Sequence, residues 1–190
     1  MPSSGARSEG WFADLYAAHH SQVVRYALRR LGDPDASLDL AQEVFIVAWR
    51  RRLDVPDRHL PWLYGVARRL LANHWRARRA APEIVTLAVE GAQREHIAAA
   101  STGQAAGDRL DRVSVALASL SDMDQEILRL IGWEELTVTE AAVVLGCRAA
   151  TAAVRLHRAR RRLAEALRSI PPDSDEFAFD STRAREIRHV

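Results

Sequence analysis

Asp39 and Glu43 stand four residues apart in the run Asp39-Leu40-Ala41-Gln42-Glu43-Val44-Phe45. On a helix that spacing sets both carboxylates on one face, where paired acids serve acid–base chemistry, metal binding or protein docking. No histidine joins them at helical spacing, and the chain has no glycine-rich phosphate loop. A small helical enzyme built on Asp39, Glu43 and a histidine such as His19 or His74 would lack a nucleophile–base set and a metal-ligand spacing. The polar face therefore reads as a protein-docking surface, and the expectation is a chain with no catalytic residues, no cofactor and no metal.

A second chemistry lies in the arginines. All 27 basic residues are arginine, although the formal net charge is only +2; the pI is about 9.2, so the placement of charge matters more than its sum. Arg148, Arg155, Arg158, Arg160, Arg161 and Arg162 fall in one stretch without an acid. Upstream of it, Thr137 or Thr139 offers a helix cap. Ala141, Ala142 and Leu145 allow close packing, and Gly146 supplies a turn in which positive φ is cheap. Small residues, a glycine turn and a basic second helix from Ala149 to Leu163 make a helix-turn-helix. Its second helix would enter the major groove by its N-terminal part. Arg148, Thr151, Ala152 and Arg155 would face base edges, while Arg158 and the later arginines would reach phosphates. Val154, Leu156, Ala159 and Leu163 would anchor that helix, and Cys147 reads as packing.

The third candidate surface is Trp62 to Arg79. Between Leu60 and Pro82 five arginines, a histidine, two tryptophans and a tyrosine occur without an acid. Interleaved rings and cations suit unpaired bases, which stack on the rings while the backbone meets charge. Trp62 and Trp75 would otherwise be core residues, and Trp75, amid His74, Arg76 and Arg78, is the better exposed candidate.

The elements that must position these groups are helices. Apolar residues recur at helical spacing from Trp11 to Leu31, from about Ala36 to Arg52, and from Trp62 to about Arg79. Asp54 to Pro61 reads as a loop. Pro82 to Gly107 is rich in Ala, Gly, Gln, Ser and Thr and reads as a flexible linker. A second helical unit begins near Asp108, with Ser121 or Asp122 as an internal cap. The expected fold is all-α: two small helical domains joined by a flexible linker, the C-terminal one a helix-turn-helix. Their bounds are 8–80, a linker 81–107, 108–170, and a tail 171–190 opened by two prolines. The single cysteine excludes an internal disulfide. Met1 to Gly10 has no apolar core for a signal peptide, and no apolar run is long enough to span a bilayer, so a cytoplasmic chain without membrane insertion is expected.

The order and spacing of these units over residues 11–80 and 108–168 resemble the extracytoplasmic-function sigma factors of bacterial RNA polymerase. Asp39 to Phe45 is similar to the family's docking motif in sigma domain 2. By that resemblance Asp39, Leu40, Gln42, Glu43 and Phe45 would meet the β′ clamp of core polymerase. Trp62 to Arg68 and Leu70 to His74 resemble the part that melts and reads the −10 element, implying Trp62, Arg68, Arg69, Asn73, His74, Trp75 and Arg76. The helix-turn-helix resembles sigma domain 4, which docks on the β flap and reads the −35 element, implying Arg148, Ala149, Thr151, Ala152, Arg155 and Arg158. Arg69, where the family often has Asn, and Ala152 and Ala153, where it often has polar or basic residues, depart from the pattern. The implied partners are core RNA polymerase, promoter DNA and an anti-sigma factor. The alternative on the residues alone is a free-standing helix-turn-helix regulator with an N-terminal dimerisation or sensing bundle.

Overall fold

The computed structural model describes the backbone of residues 7–80 and 112–170, and the side chains of all of these except 78–80. The expected linker 81–107 and tail 171–190 lie outside the described residues. Helix α1 (Glu9–Leu31) starts at Ser8, whose hydroxyl accepts from the Trp11 N–H, and stops at Gly32. Asp33 caps α2 (Pro34–Arg50), its carboxylate accepting from the N–H groups of Asp35 and Ala36 at 2.9 and 3.1 Å. Pro34 sits in the first turn, where a missing N–H costs nothing. Helix α3 (His59–Ala80) starts earlier than its apolar pattern indicates, because Pro61 is accommodated in its first turn for the same reason. The loop before it is correspondingly shorter. Leu15, Val23 and Ala27 of α1 meet Leu40, Val44 and Ala48 of α2 and Leu63, Val66 and Leu71 of α3 in one buried cluster.

In the C-terminal half, residues 112–118 form α4. It is followed by α5 (Asp122–Gly132), α6 (Val138–Leu145) and α7 (Ala149–Ser169). Ser121 is the cap of α5. Thr137 caps α6 through a reciprocal box: Glu140 N–H donates to the Thr137 hydroxyl, and Thr137 N–H donates to the Glu140 carboxylate at 2.9 Å. Gly146, at φ 64°, ends α6 in the left-handed region. Ala141 and Ala142 let α7 cross closely, and Ala152, Leu156 and Ala159 fill the crossing. Cys147 is half-buried against the same cluster. Among the described residues there is no strand, and no helix is long and apolar enough to cross a membrane.

The two helical units are docked on each other, which the sequence pattern does not announce. Helix α3 lies against α6, and the apolar cluster continues from one unit into the other. Gly65 faces α6 at this contact: a Cβ there would stand in ordinary van der Waals contact, 3.8 Å from the Cα of Val144, so alanine would fit and the backbones leave little room for a larger side chain.

Candidate nucleic-acid interface

Helix α7 carries the strongest positive face, and packing decides which of its residues can use it. Ala152 is fully buried against α6. It cannot reach a base edge, which corrects its sequence-based assignment; the physical reason is that the helix crossing needs a residue without a side-chain stem there. Arg155 is half-buried, its guanidinium 3.9 Å from the Met123 sulfur of α5. Arg162 pairs with the buried Asp124 at 2.5 Å, and Arg161 pairs with Glu165 at 3.3 Å, so these two are already engaged in structure. Arg148, Ala149, Thr151 and Arg158 are exposed, and Arg158 and Arg160 pair with no carboxylate among the described residues. Val154, expected to anchor the helix, instead stands 50 % exposed on its outer side.

Helix α3 presents Arg69, Asn73 and Arg76 at i, i+4 and i+7, all exposed. Arg76 donates to the Asn73 side-chain oxygen at 2.5 Å and to the Ala72 carbonyl at 3.1 Å. Arg68 and His74 are half-buried, and the His74 Nε2 is enclosed without a hydrogen-bond partner. Trp62 and Trp75 both pack, partly buried, against the apolar cluster. Neither tryptophan is the freely exposed ring that the local sequence around Trp75 suggests; what the surface offers openly is arginine and amide.

On α2 the expected docking set divides in two. Asp39, Gln42 and Glu43 are exposed, whereas Leu40 and Phe45 are buried, Phe45 to 2 %. Leu40 and Phe45 belong to the inner stripe of the helix, so their side chains build the surface from behind and do not form it. Their places are taken by Leu38 and Ile46, two exposed apolar residues on the outer side. Ile46 also lines an open groove between α1 and α2 floored by Phe12, Tyr16 and Trp49, with the buried Phe45 at its back. The i+4 spacing of Ile46 from Gln42 is the signal that could have identified it. Asp35 stands one turn before Asp39, yet no group of three metal-ligating side chains forms among the described residues.

A polar lock joins the two units. Arg30, almost wholly buried, donates to Glu126 at 2.9 and 3.1 Å and to Glu134 at 3.0 Å. Its guanidinium lies 3.4 Å above the Tyr26 ring. The Tyr26 hydroxyl donates to Glu126 at 2.8 Å, and the ring stacks on Tyr64 at 4.6 Å. Arg29 adds a forked pair to Glu134. Burial opposes the charge on Arg30, but Tyr26, Glu126 and Glu134 outweigh it and raise its pKa. Burial likewise pushes the Tyr26 phenol well above its ordinary value, against the pull of Arg30. At the edge, Arg58 reaches Glu140 at 2.8 Å. Sequence reasoning singled out neither Tyr26, Arg29 and Arg30 nor Glu126 and Glu134. The available signal is that Arg30 continues the apolar stripe of Val23, Tyr26 and Ala27, where a charge needs a buried partner.

Residues 15–81 match the family described as sigma-70 region 2, and residues 110–163 match sigma-70 region 4; together they cover more than half of the chain. The chain is 29% identical over 154 residues to the ECF RNA polymerase sigma factor SigL of Mycobacterium tuberculosis, covering 78% of this chain and 84% of that protein. It is 29% identical over 172 residues to the ECF RNA polymerase sigma factor EcfG of Rhodopseudomonas palustris, covering 89% and 90%. Its fold is similar to that of the sigma factor RpoE of Bartonella quintana, solved with the anti-sigma factor NepR, with a TM-score of 0.57, 22% identity and 84% of this chain and 98% of that chain covered. It is also similar to CnrH, solved with the cytosolic domain of CnrY, at a TM-score of 0.53, 24% identity and coverage of 86% and 92%.

Proposed function

The chain belongs to the sigma-70 family as an RNA polymerase sigma factor of the extracytoplasmic-function type, and from that premise we propose how its surfaces divide the work. Residues 8–80 act as sigma domain 2. The exposed acids Asp39 and Glu43, with Gln42, Leu38 and Ile46, meet the β′ clamp of core polymerase. Arg69, Asn73 and Arg76 on α3, with Arg68, His74, Trp62 and Trp75 behind them, take unpaired bases of the −10 element. Residues 108–170 act as domain 4, docking on the β flap and setting α7 in the major groove of the −35 element, with Arg148, Ala149, Thr151 and Arg158 toward the DNA. An anti-sigma factor is the expected regulator. The polymerase performs the chemistry, and this chain contributes positioning and strand capture.

The observation that carries this reading is the separation of faces. The acidic face of α2 and the basic faces of α3 and α7 are all exposed, while the residues that hold them in place are buried. The two elements lie about 25 base pairs apart by their names, roughly 85 Å of duplex at 3.4 Å per pair. Two units in direct contact cannot serve both at once, so they separate on the promoter. The segment 81–111 can span up to roughly 105 Å when extended, which is sufficient.

The test is run-off transcription with core polymerase on a promoter library. The wild-type chain should direct initiation from selected promoters, and Asp39→Arg with Glu43→Arg should abolish it while leaving binding to −35 duplex intact. No initiation above core polymerase alone, together with tight binding of the isolated chain to a palindromic site, would establish the free-standing regulator instead.

A further inference from the structure

Helix α7 is built almost entirely of Ala, Arg and Leu, the residues that favour a helix. Its only β-branched residues are Thr151 and Val154. Both are exposed, Val154 to 50 %. They stand three residues apart on the side opposite Ala152, Leu156 and Ala159, which are buried. A branched residue in an exposed helical position lowers helix propensity and here contributes nothing to the core. On folding grounds alone, arginine or alanine would serve better at both places.

Chemistry supplies a reason for them. Packing removes Ala152 from the reading face and draws Arg155 toward Met123. What remains outward around Val154 is Ala150 and Thr151 one turn earlier and His157 and Arg158 one turn later, all exposed. The flanking arginines fit the phosphates and the guanine edge. Beside Val154 the centre of the face offers only the Thr151 hydroxyl and the His157 ring as hydrogen-bonding groups. The apolar feature presented by the major groove is the thymine C5-methyl. Valine in a helix is held in one χ1 rotamer nearly throughout, so its two methyls can meet that group without losing side-chain freedom. Three helical residues advance about 4.5 Å, so Thr151 and Val154 lie near enough along the helix to meet the same stretch of groove.

Resting on the assignment of α7 to the −35 element, we propose that Val154, supported by Thr151, is a specificity-determining residue that selects thymine in that element through its C5-methyl. The face is open while the two units are docked, so no rearrangement is needed to present it. The preference is for T over C at that pair, since cytosine lacks the methyl that Val154 meets.

The test uses the full chain assembled with core polymerase, on a promoter selected from a library randomised through the −35 element. Each −35 thymine is then replaced in turn by deoxyuridine, which removes the methyl and keeps the base pair. The wild-type holoenzyme should lose about fourfold in affinity at one or two positions, the worth of one buried methyl. Val154→Ala should show no loss at the position that Val154 reads, Val154→Ile should keep the dependence, and Val154→Ala should leave the free chain at least as stable in a thermal melt, since alanine favours the helix. A selected −35 element whose uridine substitutions cost wild type nothing, or cost wild type and Val154→Ala equally, would overturn the proposal. So would a Val154→Ala defect in holoenzyme assembly that is indifferent to the methyl, since it would place Val154 against polymerase. If selection recovers no −35 preference at all, the assignment of α7 falls first and this proposal with it.

Discussion

The Thr137 hydroxyl accepts from the Glu140 N–H at the start of α6 and donates to the Glu140 carboxylate, which also accepts from the Thr137 N–H. The hydrogen bonds from Thr137 hold the Glu140 carboxyl below its ordinary pKa, with a smaller contribution from Arg58. Thr137→Ala should destabilise the chain by about 1 kcal/mol in thermal unfolding at neutral pH. A carboxylate whose folded pKa is depressed contributes stability that is fully present above its unfolded value and is lost as pH falls through the folded one. The gap between wild type and Thr137→Ala should therefore narrow as pH is lowered below the ordinary glutamate range; a gap constant down to strongly acid pH would show that the box does not act through ionised Glu140. This cap was legible from sequence as a choice between Thr137 and Thr139, and the glutamate three residues after Thr137 decides it. Val154 was not legible in the same way, because an apolar residue two positions from both Ala152 and Leu156 reads as an anchor until the crossing of α6 and α7 fixes which side of the helix is buried.

At the scale of elements, each functional helix has an inner stripe that builds and an outer stripe that acts. The sequence locates the helices well, since caps, prolines and the 3.6-residue period are local signals. It assigns the faces less well, because a rotation by one residue exchanges a scaffold residue for a contact. Leu40, Phe45 and Ala152 were all displaced inward for this reason. Ala152→Leu should destabilise the helix-turn-helix by about 1–3 kcal/mol through overpacking at the crossing, measured by chemical denaturation, whereas Ala153→Leu on the exposed side should be nearly neutral. On α2, Ile46→Asp should weaken assembly with core polymerase severalfold without lowering the melting temperature, and Phe45→Ala should do the reverse, losing about 3–5 kcal/mol of stability. A polymerase-binding defect in Phe45→Ala with unchanged stability would show that the ring belongs to the surface after all.

The whole molecule is governed by the lock of Arg29, Arg30, Tyr26, Glu126 and Glu134. Its members are 96 to 105 residues apart, which is why no local pattern could reveal that the two units dock. Glu134→Ala leaves Arg30 buried beside a single remaining acid, and breaking a buried pair from one side costs about 3–5 kcal/mol. That variant should populate a separated state, seen as a larger radius of gyration in small-angle scattering while helical content is kept. An unchanged radius would mean that the apolar contact at Gly65 is sufficient for docking. The separation in sequence also sets an order in time. The first partner, Arg30, leaves the ribosome about 100 residues before the second. Helix α3 is complete only at Ala80, 46 to 54 residues before Glu126 and Glu134, so at about 5–20 residues per second the finished N-terminal bundle stands without its cover for roughly 2–11 s. During that interval its α3 surface and the uncompensated Arg30 are presented to the cell. The nascent chain thus passes through an open form before its own C-terminal half exists to close it. A partner that prefers the open form would have its first opportunity during translation.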